Sequence, residues 1–277
     1  MCRIHGIIGV LISIFILSCQ EIGPGINIEN SNNNADSTEK KVLIENFTGV
    51  QCVNCPQGDT LIENLIQQYP GRVEVIDIHA GPLAEPVILS DPDLRTPYSD
   101  LLNTLIGPFP FQPAASIDRK LFEISPGDFE RIISRNYWAP FVQQELDSVA
   151  QVSIDVVPHF DTISRLLTVT LNVKFLNEVP DNINASVSIT ESKVITSQLN
   201  QQQVIPDYIH NNVLRTMLTP YNGEIIDGTK TAGTIWSKQF SIILPDVWNA
   251  DNCRLIAFVS KSAGVYDVLQ VNGMLIK

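Results

Sequence analysis

Val42-Leu43-Ile44-Glu45-Asn46-Phe47-Thr48-Gly49-Val50-Gln51-Cys52-Val53-Asn54-Cys55-Pro56 is the stretch on which the reading of this chain turns. Val42 to Phe47 is a short apolar run fit for a buried strand. Two cysteines separated by two residues follow, at the start of an amphipathic helix whose Leu61, Ile62, Leu65, Ile66 and Tyr69 share one face. Pro56 sits in the first turn, where a missing N–H costs nothing, and Pro70-Gly71 stops the helix. Arg72 to His79, with Val73, Val75, Ile76 and Ile78, reads as the next strand. Strand, helix and strand over about forty residues predict a βαβ unit with a parallel pair.

Two thiols three positions apart at a helix start can close into a disulfide or stand as a reactive pair. Cys52 would be the nucleophile, because the first cysteine is exposed at the helix terminus and Cys55 is tucked one turn in. A helix terminus favours an anion by about 1 kcal/mol, which takes a thiol from about 8.5 to about 7.8. No Lys, Arg or His stands inside the motif to lower it further, and the acidic chain works the other way. Zinc is not expected, since no second Cys-x-x-Cys completes a tetrahedral site. Haem attachment is excluded because Pro56, not His, follows the pair. His79, His159 and His210 are scattered without metal spacing and read as structural residues. With no Gly-x-Ser-x-Gly elbow and no phosphate loop, no cofactor is expected.

Downstream, Ala80 to Gln112 is proline-rich and holds one helix, with Thr96 as N-cap, Pro97 at N1 and Leu101, Leu102 and Leu105 on one face. Phe111 to Asp118 leads into a third strand. Ser125-Pro126-Gly127-Asp128 reads as the N-terminal cap of a closing helix carrying Phe129, Ile132 and Ile133, which Pro140 kinks or ends. Beyond Asp147 the texture changes to alternating runs: Val152 to Val156, Leu167 to Phe175, Ala185 to Thr190, Ile235 to Leu244, Leu255 to Ser260 and Val265 to Val271. Short strands between turn signals predict an antiparallel β-sandwich, with Asn272-Gly273 as a tight hairpin turn. Gln198 to Asp227 is a long connection, either a binding loop or a packed motif that closes the sandwich against the first half. Cys253 reads as a buried small hydrophobe.

The chain has 277 residues, of which 44% are hydrophobic and 17% charged, a composition suited to packed domains. A net charge of −12 argues against nucleic-acid binding, which needs a basic face. Arg3 and the apolar run Ile7 to Leu17 form a leader too short to span a bilayer comfortably. Its end, Ile16-Leu17-Ser18-Cys19, resembles a bacterial lipobox, which implies cleavage before Cys19 and lipid on that residue. Gly23-Pro24-Gly25 and Asn30-Ser31-Asn32-Asn33-Asn34 then suit a flexible tether. An exported chain works where disulfides are permitted.

The order of strand, Cys-x-x-Cys at a helix start, strand, and a proline just before another strand resembles the thioredoxin fold. In that fold the later proline is cis and packs beside the cysteines, so the resemblance assigns that role to Pro113. Glu45-Asn46-Phe47-Thr48-Gly49, Cys52-Val53-Asn54-Cys55-Pro56, Tyr208-Ile209-His210-Asn211-Asn212-Val213-Leu214-Arg215 and Val268-Leu269-Gln270 are closer to the thioredoxin-like outer-membrane lipoproteins of Bacteroidetes. This is the group named after a twenty-eight-kilodalton outer-membrane protein. The chain departs from thioredoxins where Asn46 replaces a buried Asp and Gln51 replaces a Trp, which weighs against efficient general reductase activity.

The expected organisation is a signal peptide over 1–18, a lipid-anchored tether over 19–40, an α/β thioredoxin-like domain over 41–148 and an all-β antiparallel sandwich over 149–277. The expected location is the cell envelope, at the outer membrane, with the membrane reached through lipid on Cys19. Two functions compete. In one, Cys52 attacks a protein or peptide disulfide, Cys55 resolves the mixed disulfide and Pro113 shapes the peptide groove. In the other, the protein is a non-enzymatic surface lipoprotein, with the first domain as scaffold and the sandwich contacting a partner.

Overall fold

The computed structural model describes residues 38–277 except 202 and 263; the expected leader, Cys19 and nearly all of the tether lie outside the described residues. The first half runs β1 (Val42–Thr48), α1 (Cys55–Gln68), β2 (Val73–His79), α2 (Ser99–Ile106), β3 (Ala114–Ile117), β4 (Phe122–Ser125), β5 (Asp128–Glu130), β6 (Ile133–Ser134) and α3 (Trp138–Leu146). The second runs β7 (Val152–Phe160), β8 (Leu166–Phe175), β9 (Ile183–Glu191), β10 (Val194–Asn200), β11 (Gln203–His210), β12 (Val213–Met217), β13 (Glu224–Ile225), β14 (Ile235–Ile243), β15 (Cys253–Lys261) and β16 (Val268–Leu275).

One mixed sheet runs through both halves in the order β16-β15-β9-β12-β2-β1-β3-β6, with β13 pairing β9. This corrects the expectation of an α/β thioredoxin-like domain followed by a separate all-β sandwich. The parallel pair β1–β2 with α1 between them does form, but β2 is not the end of a domain. Val213 pairs with Asp77 in parallel, and the Asp77 N–H donates to the Asn212 carbonyl at 2.8 Å. On its other side β12 pairs antiparallel with β9. Among the described residues strand outweighs helix by 43% to 17%, so the molecule is mostly β, with a mixed sheet and few helices and no clear α/β thioredoxin-like domain. The physical reason is burial. Every residue of β1 and β2 is buried, so neither strand could end at a solvent-facing edge without exposing apolar surface.

The second layer over the far end of this sheet is the three-stranded sheet β14-β8-β7. Val152, Leu167, Leu171 and Phe175 on one side meet Ala185, Val187, Ile189, Leu255 and Val259 on the other in one apolar core. Around β1 the alternation of side chains divides two more clusters. Leu43 and Phe47 face α2 with Leu102 and Ile106. Val42 and Ile44 face α1 and α3 with Ile62, Leu65, Trp138 and Val142.

Charge and polar contacts lie at the joint between the halves, where Arg254–Glu74 and Arg119–Phe258 cross it, and within each half beside it. Arg119 gives a bidentate pair to Glu45 at 2.7 and 2.6 Å, both side chains 1% exposed, and its guanidinium lies 4.7 Å from the Phe258 ring centroid. Arg254 pairs with Glu74 at 2.8 and 2.7 Å. Asn272 donates to the Ile154 carbonyl at 2.9 Å, and Lys40 pairs with Asp118.

Several local expectations change. Ser125-Pro126-Gly127-Asp128 does not cap a helix; it closes the β4–β5 hairpin, with Ser125 opposite Asp128 and Gly127 at φ +79°. Pro followed by a left-handed Gly is the pair a type II turn requires. The closing helix begins at Trp138 instead, and Pro140 lies in its first turn rather than ending it. In α2 the buried pair is Leu102 and Ile106, while Leu101 is 42% exposed. Asn272-Gly273 is not a turn but lies inside β16, opposite Ala257 and Ile256. A Cβ at Gly273 would stand 2.3 Å from Glu74 Oε2, so the glycine makes room for the Glu74–Arg254 pair.

Candidate functional site at the Cys52–Cys55 disulfide

Cys52 and Cys55 are joined in a disulfide, with Cα atoms 5.4 Å apart. The loop that carries them leaves β1 through Gly49, where a Cβ would meet the Leu83 carbonyl oxygen at 2.4 Å; only glycine permits that approach. The Gln51 N–H donates to the same Leu83 carbonyl at 2.8 Å, and the Cys55 N–H to the Cys52 carbonyl at 3.1 Å. Gln112 Nε2 donates to the carbonyls of Thr48 (2.8 Å) and Ala80 (3.1 Å), tying the ends of β1 and β2 together. The next residue, Pro113, follows a cis peptide bond and packs on Gly58 of α1 and beside Trp138. The structure therefore brings Cys52, Cys55 and Pro113 to one end of the sheet. Sequence reasoning placed Cys52 as the exposed thiol. It is 3% exposed and Cys55 is fully buried, while Val53 between them is 37% exposed.

What covers the loop is the β10–β11 hairpin, which sequence reasoning passed over as part of a long connection. The Leu199 N–H donates to the Val50 carbonyl at 2.8 Å. The buried Gln198 side chain donates to the Cys52 carbonyl at 3.1 Å and the Gly49 carbonyl at 3.4 Å. Tyr208 Oη donates to Asp59 Oδ2 at 2.7 Å, which fixes β11 to α1. The pattern of Val194, Thr196, Gln198 against Val204, Tyr208, His210 held a strand signal, but its glutamines and asparagines masked it.

Beneath the hairpin lies a group of buried and half-buried titratable side chains. Asp59 stands one turn beyond Cys55 on α1, and Asp77 lies opposite Asn46 on the paired strands, accepting from Asn46 Nδ2 at 2.8 Å. Burial pushes the Asp59 carboxyl up to about 6, against the Tyr208 hydrogen bond and with help from Glu63. Burial also holds Asp77 well above the usual carboxylate range, and nearby Asp59 adds to the effect. His79 and His210 face each other with ring centroids 5.7 Å apart. Burial lowers His79 to about 3, helped by His210 and Arg215, and lowers His210 to about 4. Both rings are neutral near pH 7. Sequence reasoning gave the histidines no shared location because 131 residues separate them along the chain. Among the described residues no group of three or more His, Cys, Asp or Glu could hold a metal ion. Cys253 is buried in the sandwich core, its thiol pushed up to about 12 by burial.

Comparison with known proteins bears on the whole chain rather than on the cysteines. The structure resembles HBP35 of Porphyromonas gingivalis with a TM-score of 0.66 at 16% identity, covering 87% of this chain and 76% of that one. It resembles protein AGR_C_4864 from Agrobacterium tumefaciens with a TM-score of 0.50 at 14% identity, covering 87% and 96%. A domain of the outer membrane lipoprotein Omp28 from Porphyromonas gingivalis matches 47% of this chain and 91% of its own at 18% identity, with a TM-score of 0.33. No curated protein matches the sequence. The family described as outer membrane protein Omp28 matches residues 110–277, which takes in Tyr208 to Arg215 and Val268 to Gln270 but not the cysteine pair. With more than half of its length matched, this chain belongs to the Omp28 family and is a protein of the cell envelope, at the outer membrane.

Proposed function

We propose that this protein is a non-enzymatic binding lipoprotein of the outer membrane, held by lipid on Cys19, in which Cys52–Cys55 is a structural clamp. The observation that supports it is the burial of both cysteines, 3% and 0% exposed, in a formed disulfide beneath β10–β11. A nucleophilic cysteine must present a thiolate to its substrate, and a clamp needs no such access. Partner contact then falls to the exposed faces of the β-rich half. The outward face of β14, with Ser237, Gln239 and Ser241, is open along its whole length.

The test is turnover. With a dithiol as electron donor, the protein is expected to reduce an insulin disulfide no faster than background. Turnover that vanishes in Cys52→Ala would overturn the clamp reading and restore thiol–disulfide exchange. The position of Cys52 just before the N-terminus of α1 favours that second reading. The Cys52→Ala/Cys55→Ala variant is expected to keep its outer-membrane location and lose stability.

A further inference from the structure

We propose that the β10–β11 hairpin is a hinged lid over the Cys52–Cys55 disulfide, and that its opening, without unfolding of the rest, exposes the disulfide to an attacking thiolate. The inference goes beyond the clamp reading, which concerns the closed form.

Three observations carry it. The hairpin forms its own two-stranded sheet and, among the described residues, shares no ladder with the large sheet that surrounds it in sequence. Its two legs meet that sheet at Lys193 (φ +59°), just after β9, and at Asn212 (φ +52°), just before β12. Both legs therefore turn at single left-handed residues; Asn212 keeps its carbonyl on the Asp77 N–H, so the swing falls at Lys193 and on the hairpin side of Asn212. Finally, its underside is poorly glued. Thr196 Oγ1 and His210 Nε2 on the hairpin, and His79 Nδ1 facing them, are buried without a hydrogen-bond partner among the described residues. Water would satisfy all three on opening, which offsets the loss of closed contacts. The apolar contacts that resist opening are few, chiefly Val194 with Val50, Leu94 and Val213. The lid is held shut chiefly by the Tyr208–Asp59 hydrogen bond, the Gln198 contacts with the Cys52 and Gly49 carbonyls and the Leu199–Val50 hydrogen bond, with Asn211 reaching Glu63 at the hinge.

In the open form, a thiolate from a dithiol attacks Cys52 Sγ. A mixed disulfide forms, the Cys52–Cys55 bond breaks and Cys55 leaves as a thiolate that takes a proton from water. The second thiol of the reagent, deprotonated, then displaces Cys52 as a thiolate and closes the reagent's own disulfide. Two electrons pass from the dithiol to the cysteine pair.

The experiment follows reduction of the full chain by dithiothreitol at pH 8, with alkylation and mass spectrometry at Cys52 and Cys55 over a series of sub-denaturing urea concentrations. Reduction is expected to be slow and nearly independent of urea, and to rise about three- to tenfold in Tyr208→Phe and in Gln198→Ala, the effect of one lost hydrogen bond. Hydrogen exchange of the Leu199 amide should accelerate in step. A urea dependence as steep as that of global unfolding, or rates unmoved in both variants, would sink the lid and leave the clamp reading standing. Reduction of the wild type as fast as an exposed model disulfide would sink both. Should one variant fold poorly, the other and the Leu199 amide still decide the matter.

Discussion

The two ends of the large sheet are buried by different means. At the β9–β15–β16 end, the covering layer packs aliphatic and aromatic side chains against Ala185, Val187, Leu255 and Val259. At the β1–β2 end, Asn46, Asp77 and His79 of the sheet face Asp59 and His210 of the elements above it, the Arg119–Glu45 pair is buried beside the joint, and the Arg254–Glu74 pair crosses it. Apolar burial is non-directional and gives stability in proportion to area. Polar burial is directional, contributes less net energy and penalises every misplaced partner. The apolar end therefore supplies stability, and the polar end sets how the halves join and where a segment can move.

The widest separation between the two ends should come from Arg119→Ala. Removing one member of a pair that is 1% exposed on both sides leaves the Glu45 charge buried alone, and the expected loss is about 3–5 kcal/mol. Urea denaturation measures it. Replacing Arg119 and Glu45 together with apolar residues of similar volume should recover most of that loss; if it does not, the cost of Arg119→Ala is not that of an unpaired buried charge. In the apolar layer, Leu255→Ala creates a cavity at a fully buried position and should cost about 2–5 kcal/mol. It should leave the dithiol reduction rate of Cys52–Cys55 unchanged, and a change there would mean the ends are not independent.

Gly273→Ala tests the joint more gently. The added methyl must displace the buried Glu74–Arg254 pair, for an expected cost of about 1–3 kcal/mol seen as a lower urea midpoint. The smallest effect is a pH dependence confined to the polar end. Asp59, raised to about 6, contributes stability that is full below its unfolded value near 4 and is lost as pH rises through about 6. His79 at about 3 and His210 at about 4 contribute stability that is full above about 6.5 and is lost as pH falls toward 4. The two trends oppose each other between pH 4 and 6.5. Asp59→Asn weakens the first of them, which the raised Asp77 shares, so this variant should lose stability on acidification more steeply than the wild type, by an amount on the order of 1 kcal/mol. His210→Asn should shift the slope the other way. Midpoints at pH 4.5 and 7 decide it; equal slopes in all three proteins would show that the cluster does not titrate with folding.

Much of the fold was legible wherever period and punctuation agreed. The runs at Val42, Val73, Leu167 and Cys253 became strands, and Leu61 to Tyr69 became the packed face of α1. The misreadings have physical causes. Ser125-Pro126-Gly127-Asp128 suits both a helix cap and a type II turn, and the pairing of Phe122 with Glu130 settled it. Asn272-Gly273 is a turn signal in isolation, but here glycine serves a close approach across strands. At the site, the cysteine pair was legible from its spacing, and Pro113 only from the resemblance to the thioredoxin fold. The lid was not, because its strands are polar and its partner surface is distant in the chain.

The sequence by itself determined the elements around Cys52–Cys55, the compartment and the alternating strands of the second half, since these rest on local periodicity, composition and short motifs. Tertiary structure decided that β12 would insert beside β2 and merge the two halves into one sheet, and that β10–β11 would lie over the disulfide. Both outcomes depend on which buried edge and which buried polar groups meet across more than a hundred residues of chain, and no local pattern encodes that.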